Sequence, residues 1–398
     1  MTFVPRTGLD VLRAQGFGPL RGKRVGLVTH PAAVSAGPGG FRRADELFAA
    51  APGVELAALF GPEHGLTGEA QDLIPVGHGK PAGGVRAYSL YGDTFESLTP
   101  APDMLRGLDA LVIDLQDVGS RYYTFQATML YCMTAAAGAG LAVFVLDRPN
   151  PIGGALVEGP TIRPGFGSFV GPHPVATRHG LTMGELARLY RAERVPGVDL
   201  TVIPCDDPGP RGRHHPWVVP PSPNMPSLST AVAYPGMCLI EGTNLSEGRG
   251  TTRPFEYVGF PGVSAVAAAD LLRREELPGL EVLPATFRPT FQKHAHQTCG
   301  GVFLHVVDES FRPVRTGLAV IAVFRELLGD RFRWRTERYE FVDHVPAIDL
   351  LFGSDRERLA LEAGIPWREI AAAWEPEEAD FRRRREPYLL YPGEGQPG

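Results

Sequence analysis

The sequence predicts an α/β protein, with a doubly wound, mostly parallel sheet in its first half and a smaller α+β domain in its second. Two observations carry the prediction. Four short runs (24–28, 54–60, 108–115 and 141–146) are apolar on both faces rather than alternating, as in parallel strands covered by helices on each side. Helical segments separate them, giving the βαβ rhythm of an open sheet.

In chain order, run 24–28 is the first strand, residues 40–51 read as a helix, and runs 54–60 and 108–115 are the next strands. The charge-free stretch 122–146 is long enough to span a bilayer. Gly138 and Gly140 interrupt it, so it resolves into a buried helix over 123–137, a glycine turn and a core strand over 141–146. Residues 182–194 form a further helix, with Thr182 as N-cap and Glu185 at the capping-box position. From 206 to 226 prolines are too dense for a helix or a central strand, so this segment is loop. The domain boundary falls at its end, dividing the chain into 1–228 and 229–398. The second half mixes a strand over 301–307 with helices over 265–276, 316–328 and 367–373. No internal repeat is evident, and only the last six residues read as disordered.

Composition narrows the functional classes. The 398 residues carry a net charge of −6, which argues against a nucleic-acid-binding protein. The 48 glycines and 38 prolines exceed a fifth of the chain, against about 12% ordinarily, and imply many tight turns and ordered loops. Cys132, Cys205, Cys238 and Cys299 lie far apart with no CxxC pair, which fits reduced thiols. No cationic start followed by an apolar run opens the chain, so a cytoplasmic location is expected. Familiar cofactor motifs are missing. No G-x-G-x-x-G follows the first strand, Gly79-Lys80-Pro81 has proline where a P-loop needs Ser or Thr, and G-x-S-x-G is absent.

Polar residues gather just after the predicted strands. Run 54–60 leads into Glu63 and His64 between Gly61 and Gly65; run 108–115 into Asp117, Arg121 and Tyr122; run 141–146 into Asp147, Arg148 and Asn150. Strand ends that deliver carboxylates, arginines and an amide to one rim are how α/β active sites are built. Glu63, held in a fixed turn beside an imidazole, has the makings of a general acid. Asp117 and Arg121 stand four apart and could simply pair. The segment 241–256 holds three acids, two arginines and three glycines in sixteen residues, including Glu241, Asn244, Glu247, Arg249, Thr251 and Arg253. Glycine allows close backbone approach to a ligand, while Asn, Thr and Arg supply directional hydrogen bonds for a sugar or carboxylate. His294 and His296 would share one face of a strand and could ligate zinc, although no third ligand at familiar spacing is evident.

Together these segments resemble the exo-β-N-acetylmuramidases of the NamZ type, glycoside hydrolase family 171, long catalogued as a domain of unknown function. The matching stretches are Leu-Phe-Gly-Pro-Glu-His-Gly at 59–65, Asp-Leu-Gln-Asp-Val-Gly-Ser-Arg-Tyr-Tyr-Thr at 114–124 and Leu-Asp-Arg-Pro-Asn-Pro-Ile at 146–152. Val-Glu-Gly-Pro at 157–160, Pro-Ser-Pro-Asn-Met-Pro at 221–226 (with Asn224), the long stretch 234–256 and Tyr-Leu-Leu-Tyr at 388–391 also match. The resemblance implies a Rossmann-like N-terminal domain, a smaller C-terminal domain and a cleft between them. It implies release of N-acetylmuramic acid from the non-reducing end of peptidoglycan fragments; with the cofactor motifs missing, no cofactor is expected. The family commonly has an arginine where this chain has Thr67, and many relatives are exported.

Glycoside hydrolysis needs a proton for the leaving oxygen and support for a cationic anomeric carbon, usually from two carboxyl groups. Glu63 is expected to give the proton. Glu241, Glu247 and Asp117 are candidates for the second role, unless the substrate's own acetamido group takes it. The lactyl carboxylate of the sugar calls for a cation, from Arg121, Arg249 or Arg253. Two other readings are a metal-dependent hydrolase centred on His294 and His296, and a muropeptide-binding protein without catalysis.

Overall fold

The computed structural model describes residues 6–37, 40–68 and 85–391. Gly79-Lys80-Pro81 and the last six residues lie outside them. In the first half, helix α1 (Gly8–Ala14) precedes strand β1 (Arg24–Thr29), a short ladder of β2 (Val34–Ser35) with β3 (Arg42–Arg43), and helix α2 (Ala44–Ala49). Then come β4 (Glu55–Gly61), β5 (Arg86–Ser89), α3 (Pro102–Leu105), β6 (Ala110–Asp114), α4 (Phe125–Gly138), β7 (Ala142–Leu146), α5 (Met183–Glu193) and β8 (Asp199–Ile203). The second half runs α6 (Leu228–Met237), β9 (Tyr257–Pro261), α7 (Ala265–Arg273), β10 (Leu280–Phe287), β11 (Cys299–Val306) and α8 (Pro313–Leu328). It ends with α9 (Ala347–Phe352), α10 (Arg356–Glu362), α11 (Trp367–Ala372) and α12 (Glu375–Arg385).

The main sheet has the order β5-β4-β1-β6-β7-β8, and every pairing in it is parallel. Numbered along the chain, these six strands stand 3-2-1-4-5-6, so the winding reverses between β1 and β6. Such a reversal opens a crevice at the carboxyl ends of the strands. Both faces of the sheet are covered. Val25, Leu27, Ala110, Val112 and Phe144 face a core shared with α1 and α2, whereas Val28, Leu111, Ile113, Val143 and Val145 face α4 and α5. That double burial is why these strands are apolar throughout.

The charge-free stretch is helix α4, a glycine turn and β7, and among the described residues no helix is long and apolar enough to cross a membrane. Helix α5 begins with the expected capping box: Thr182 accepts from the Glu185 amide, and Glu185 accepts from the Thr182 amide. The proline-rich segment 206–226 contains no helix and no ladder strand, only a single bridge from Asp206 to Arg6.

The smaller sheet is antiparallel, in the order β10-β11-β9. Helix α6 crosses α8 backbone to backbone. A methyl group on Gly236 would lie 1.7 Å from the Pro313 carbonyl oxygen, and one on Gly317 2.2 Å from the Gly236 carbonyl oxygen. Glycine is therefore required on both sides of the crossing. The crossing fixes a 3-10 turn, Cys238–Gly242, that continues α6 and carries Glu241.

Candidate active site

β4 leads into the first candidate side chain. Its last residue, Gly61, is followed by a turn in which the Gly65 amide donates to the Pro62 carbonyl and His64 takes a left-handed φ of 70°. A side chain at Gly61 would meet the Leu66 amide nitrogen at 2.9 Å. The turn aims Glu63 into a cavity of about 460 Å³ also lined by Tyr122, Tyr123, Thr124, Ser222, Asn224, Tyr234, Glu241, Arg249, Phe255, Tyr339 and Glu340. The walls thus come from the end of β4, the segment leading into α4, the proline-rich loop, the stretch after α6 and the 339–340 turn.

Three carboxyl groups line this space, each 4–6% exposed as a residue. Glu63 accepts a 2.6 Å hydrogen bond from the Thr124 hydroxyl. Glu241 accepts from Arg249 Nε and Nη2 at 3.2 and 2.7 Å, and from the Tyr339 hydroxyl at 2.8 Å. Burial opposes its charge, but the Arg249 guanidinium, aided by the Tyr339 hydroxyl and more distantly Lys293, outweighs burial and holds its pKa below the usual glutamate value. Glu340 accepts from the Tyr91 hydroxyl at 3.2 Å. Burial raises the phenol pKa values of Tyr122, Tyr123, Tyr234 and Tyr339 well above normal, so these hydroxyls stay protonated donors.

Three residues of this wall are strained. His64, Phe255 and Glu340 have φ values of 70°, 62° and 45°, a region unfavourable for residues with a Cβ. Glu340 and Phe341 (φ 70°) form a two-residue turn closed by reciprocal hydrogen bonds between Tyr339 and Val342. Two positive φ angles in such a turn normally call for Asn-Gly or Asp-Gly. Non-glycine residues held this way cluster at functional sites.

The structure brings Glu63, His64, Tyr122, Asn224, Glu241 and Arg249 together on the cavity. The other sequence candidates lie off it, and their partners explain why. Arg121 is fully buried and donates to the carbonyls of Pro160, Val175 and Leu351. It does not pair with Asp117, which instead accepts from the Gly119 amide at 2.6 Å and faces His179 Nε2 at 3.3 Å. Arg148 makes a buried two-pronged ion pair with Asp114 at 2.6 and 3.0 Å. Asp147 takes hydrogen bonds from Thr182, the Gly184 amide and Tyr391, and burial lifts its pKa to about 6 despite them. Asn150 caps its own turn, accepting from Ile152 and donating to the Leu181 carbonyl.

In the second half, Asn244 ties its loop to residues 331–333, and Thr251 closes a local turn on the Gly248 carbonyl. Arg253 is half exposed against Glu256. Glu247 sits behind the wall between Arg249 at 3.6 Å and Lys293 at 3.1 Å, so the order of charges inward is Lys293, Glu247, Arg249, Glu241. Tyr339 and Glu340 escaped the sequence reading, because nothing glycine-rich or strand-like marks their turn. Thr124, Tyr234 and Phe255 lay inside the matched stretches but were not singled out.

The histidine pair is not on a strand. His294 and His296 lie in a loop before β11, with φ of 56° and 64°, and the His294 ring contacts the Asn244 carbonyl at 2.7 Å. Among the described residues no three His, Cys, Asp or Glu side chains are grouped to hold a metal ion.

Comparison with known proteins agrees with this architecture. Residues 25–229 match the family model for the exo-β-N-acetylmuramidase NamZ N-terminal region, and residues 232–391 its C-terminal counterpart. The chain is 40% identical to the peptidoglycan β-N-acetylmuramidase NamZ of Bacillus subtilis (strain 168), over 97% of this chain and 91% of that protein. Two crystal structures of DUF1343 family proteins from Bacteroides fragilis NCTC 9343 share the fold. One has a TM-score of 0.86 at 32% identity and the other 0.76 at 29%, each covering 98% of this chain and 100% of its own. On the breadth of these matches and a cavity built from the same matched stretches, the chain belongs to the NamZ exo-β-N-acetylmuramidase family.

Proposed function

We propose that this chain is an exo-acting glycoside hydrolase that releases N-acetylmuramic acid from the non-reducing end of β-1,4-linked peptidoglycan fragments. The observation that carries the reading is the convergence of Glu63, from the first half, with Glu241 and Arg249, from the second, on one cavity. In the proposed reaction Glu63 gives its proton to the glycosidic oxygen as the bond to the anomeric carbon breaks. The leaving sugar departs with that proton. Glu241, kept ionised by Arg249, stabilises the positive anomeric carbon. Water then adds its hydroxyl to that carbon and returns a proton to Glu63. Of the three arginines expected to meet the lactyl carboxylate, Arg249 alone lines the cavity, so it supplies the charge that distinguishes N-acetylmuramic acid from N-acetylglucosamine.

The test is hydrolysis of the N-acetylmuramyl–N-acetylglucosamine disaccharide and of nitrophenyl glycosides of both sugars. Glu63→Gln should lower kcat on the disaccharide about 10²- to 10⁴-fold, the usual span for general acid catalysis. The loss should be smaller on the nitrophenyl N-acetylmuramide, because a phenolate leaves with little protonation. Unchanged circular dichroism would show that the fold survives. Near-normal disaccharide turnover by the variant would reject Glu63, and a wild-type chain that cleaves neither N-acetylmuramide would reject the activity.

A further inference from the structure

β5 is the hydrogen-bonded neighbour of β4, and the chain leaving it reaches the same rim as Glu63, with the Leu90 amide donating to the Gly61 carbonyl at 2.8 Å. The next residue, Tyr91, is buried and donates to Glu340 on the cavity wall. Four residues further on, a 3-10 turn (Phe95–Leu98) presents Phe95, which is 45% exposed. Its ring stands edge-on to Tyr131 (centroids 5.9 Å apart, 70°) and to Phe341 (6.4 Å, 80°). Behind them, Phe169 stacks on Tyr131 at 6.2 Å and meets Tyr91 at 5.8 Å.

This cluster adjoins the cavity residue by residue. Val170 and Glu340 line the cavity, while their chain neighbours Phe169 and Phe341 belong to the cluster. Arg338 lies over the Phe341 ring at 5.7 Å, and Phe95 is the most exposed ring of the cluster. A half-exposed aromatic side chain braced by two neighbouring rings suits the apolar C–H face of a pyranose ring. We propose that Phe95, propped by Tyr131 and Phe341, is the platform on which the leaving N-acetylhexosamine ring stacks while the sugar to be released occupies the cavity. The proposal rests on the glycosidase reading above and adds to it the second sugar-binding position.

The experiment compares the disaccharide with N-acetylmuramyl fluoride, a substrate whose leaving group has no ring to stack. Phe95→Ala should lower kcat/KM for the disaccharide about tenfold more than for the fluoride, chiefly through KM, and Phe95→Trp should restore the ratio. Equal losses on the two substrates, or no loss on either, would overturn the platform while leaving the glycosidase reading intact. If the wild-type chain turned over neither compound, the reading itself would fail and the platform with it.

Discussion

At Glu241 burial and pairing pull in opposite directions. Burial favours the neutral acid, whereas the guanidinium of Arg249 and the hydroxyl of Tyr339 favour the carboxylate and prevail. A folded-state pKa below the unfolded one means that this carboxylate adds stability above the ordinary glutamate range and loses it as the pH falls through the folded value. Tyr339→Phe removes one donor to the charged form, so the Glu241 pKa should rise and the acid limb of the kcat profile should move to higher pH. A pH–rate series checks this, and a limb that stays put or moves to lower pH would refute the role given to Glu241. Legibility at this scale was uneven. Glu63, Glu241 and Arg249 could be read from sequence because glycines crowd them, and glycine beside charge signals a shaped site. Glu340 could not, since its turn places Glu and Phe where Asn and Gly are expected. Arg121 and Arg148 lie off the cavity: a buried arginine that serves carbonyls or an aspartate looks, in sequence, like one free to face it.

The elements themselves were read best where burial on both sides left a strong pattern. β1, β4, β6 and β7 fall within a residue or two of the runs that predicted them, and α5 starts on its predicted cap. β8 was missed because its exposed and partly buried residues weaken the apolar run, with only Ile203 fully buried. α6 was missed because Pro235 and Gly236 stand inside it, a pair that ordinarily ends a helix. Tertiary packing overrides that local preference: the glycine is where α8 touches, and the Pro235 carbonyl accepts the Tyr122 hydroxyl. Gly236→Ala should therefore force the two helices apart and cost about 3 kcal/mol, the upper part of the usual range for overpacking. Activity should fall with it, because Glu241 rides on the turn that continues α6. Urea denaturation checks the first effect; a change below about 0.5 kcal/mol, typical of neutral surface substitutions, would show that the crossing tolerates a methyl group.

Across the whole molecule, the apolar core on one face of the large sheet runs unbroken from Val28 to Phe381, so the halves separated by the proline-rich loop share one interior. Helix α12 and the residues after it clasp the first half. Glu378 accepts from the Gly159 amide at 2.8 Å, Arg385 donates to the His179 and Gly180 carbonyls at 2.9 and 2.8 Å, and Arg384 pairs with Glu193. Tyr391 closes the set by donating to Asp147 at 2.5 Å. Removing residues 375–398 would strip cations from buried carbonyls and bare the Phe381 pocket. The shortened chain should lose its cooperative thermal transition, which calorimetry would detect; a transition within a few degrees of the full chain would show the clasp to be dispensable. Synthesis runs from the N-terminus towards the C-terminus, so the ribosome makes this clasp after the strands of both sheets. Until α12 emerges, the six-stranded sheet has all its strands but lacks the contacts from Glu378, Arg384 and Arg385 that seal it to the second half.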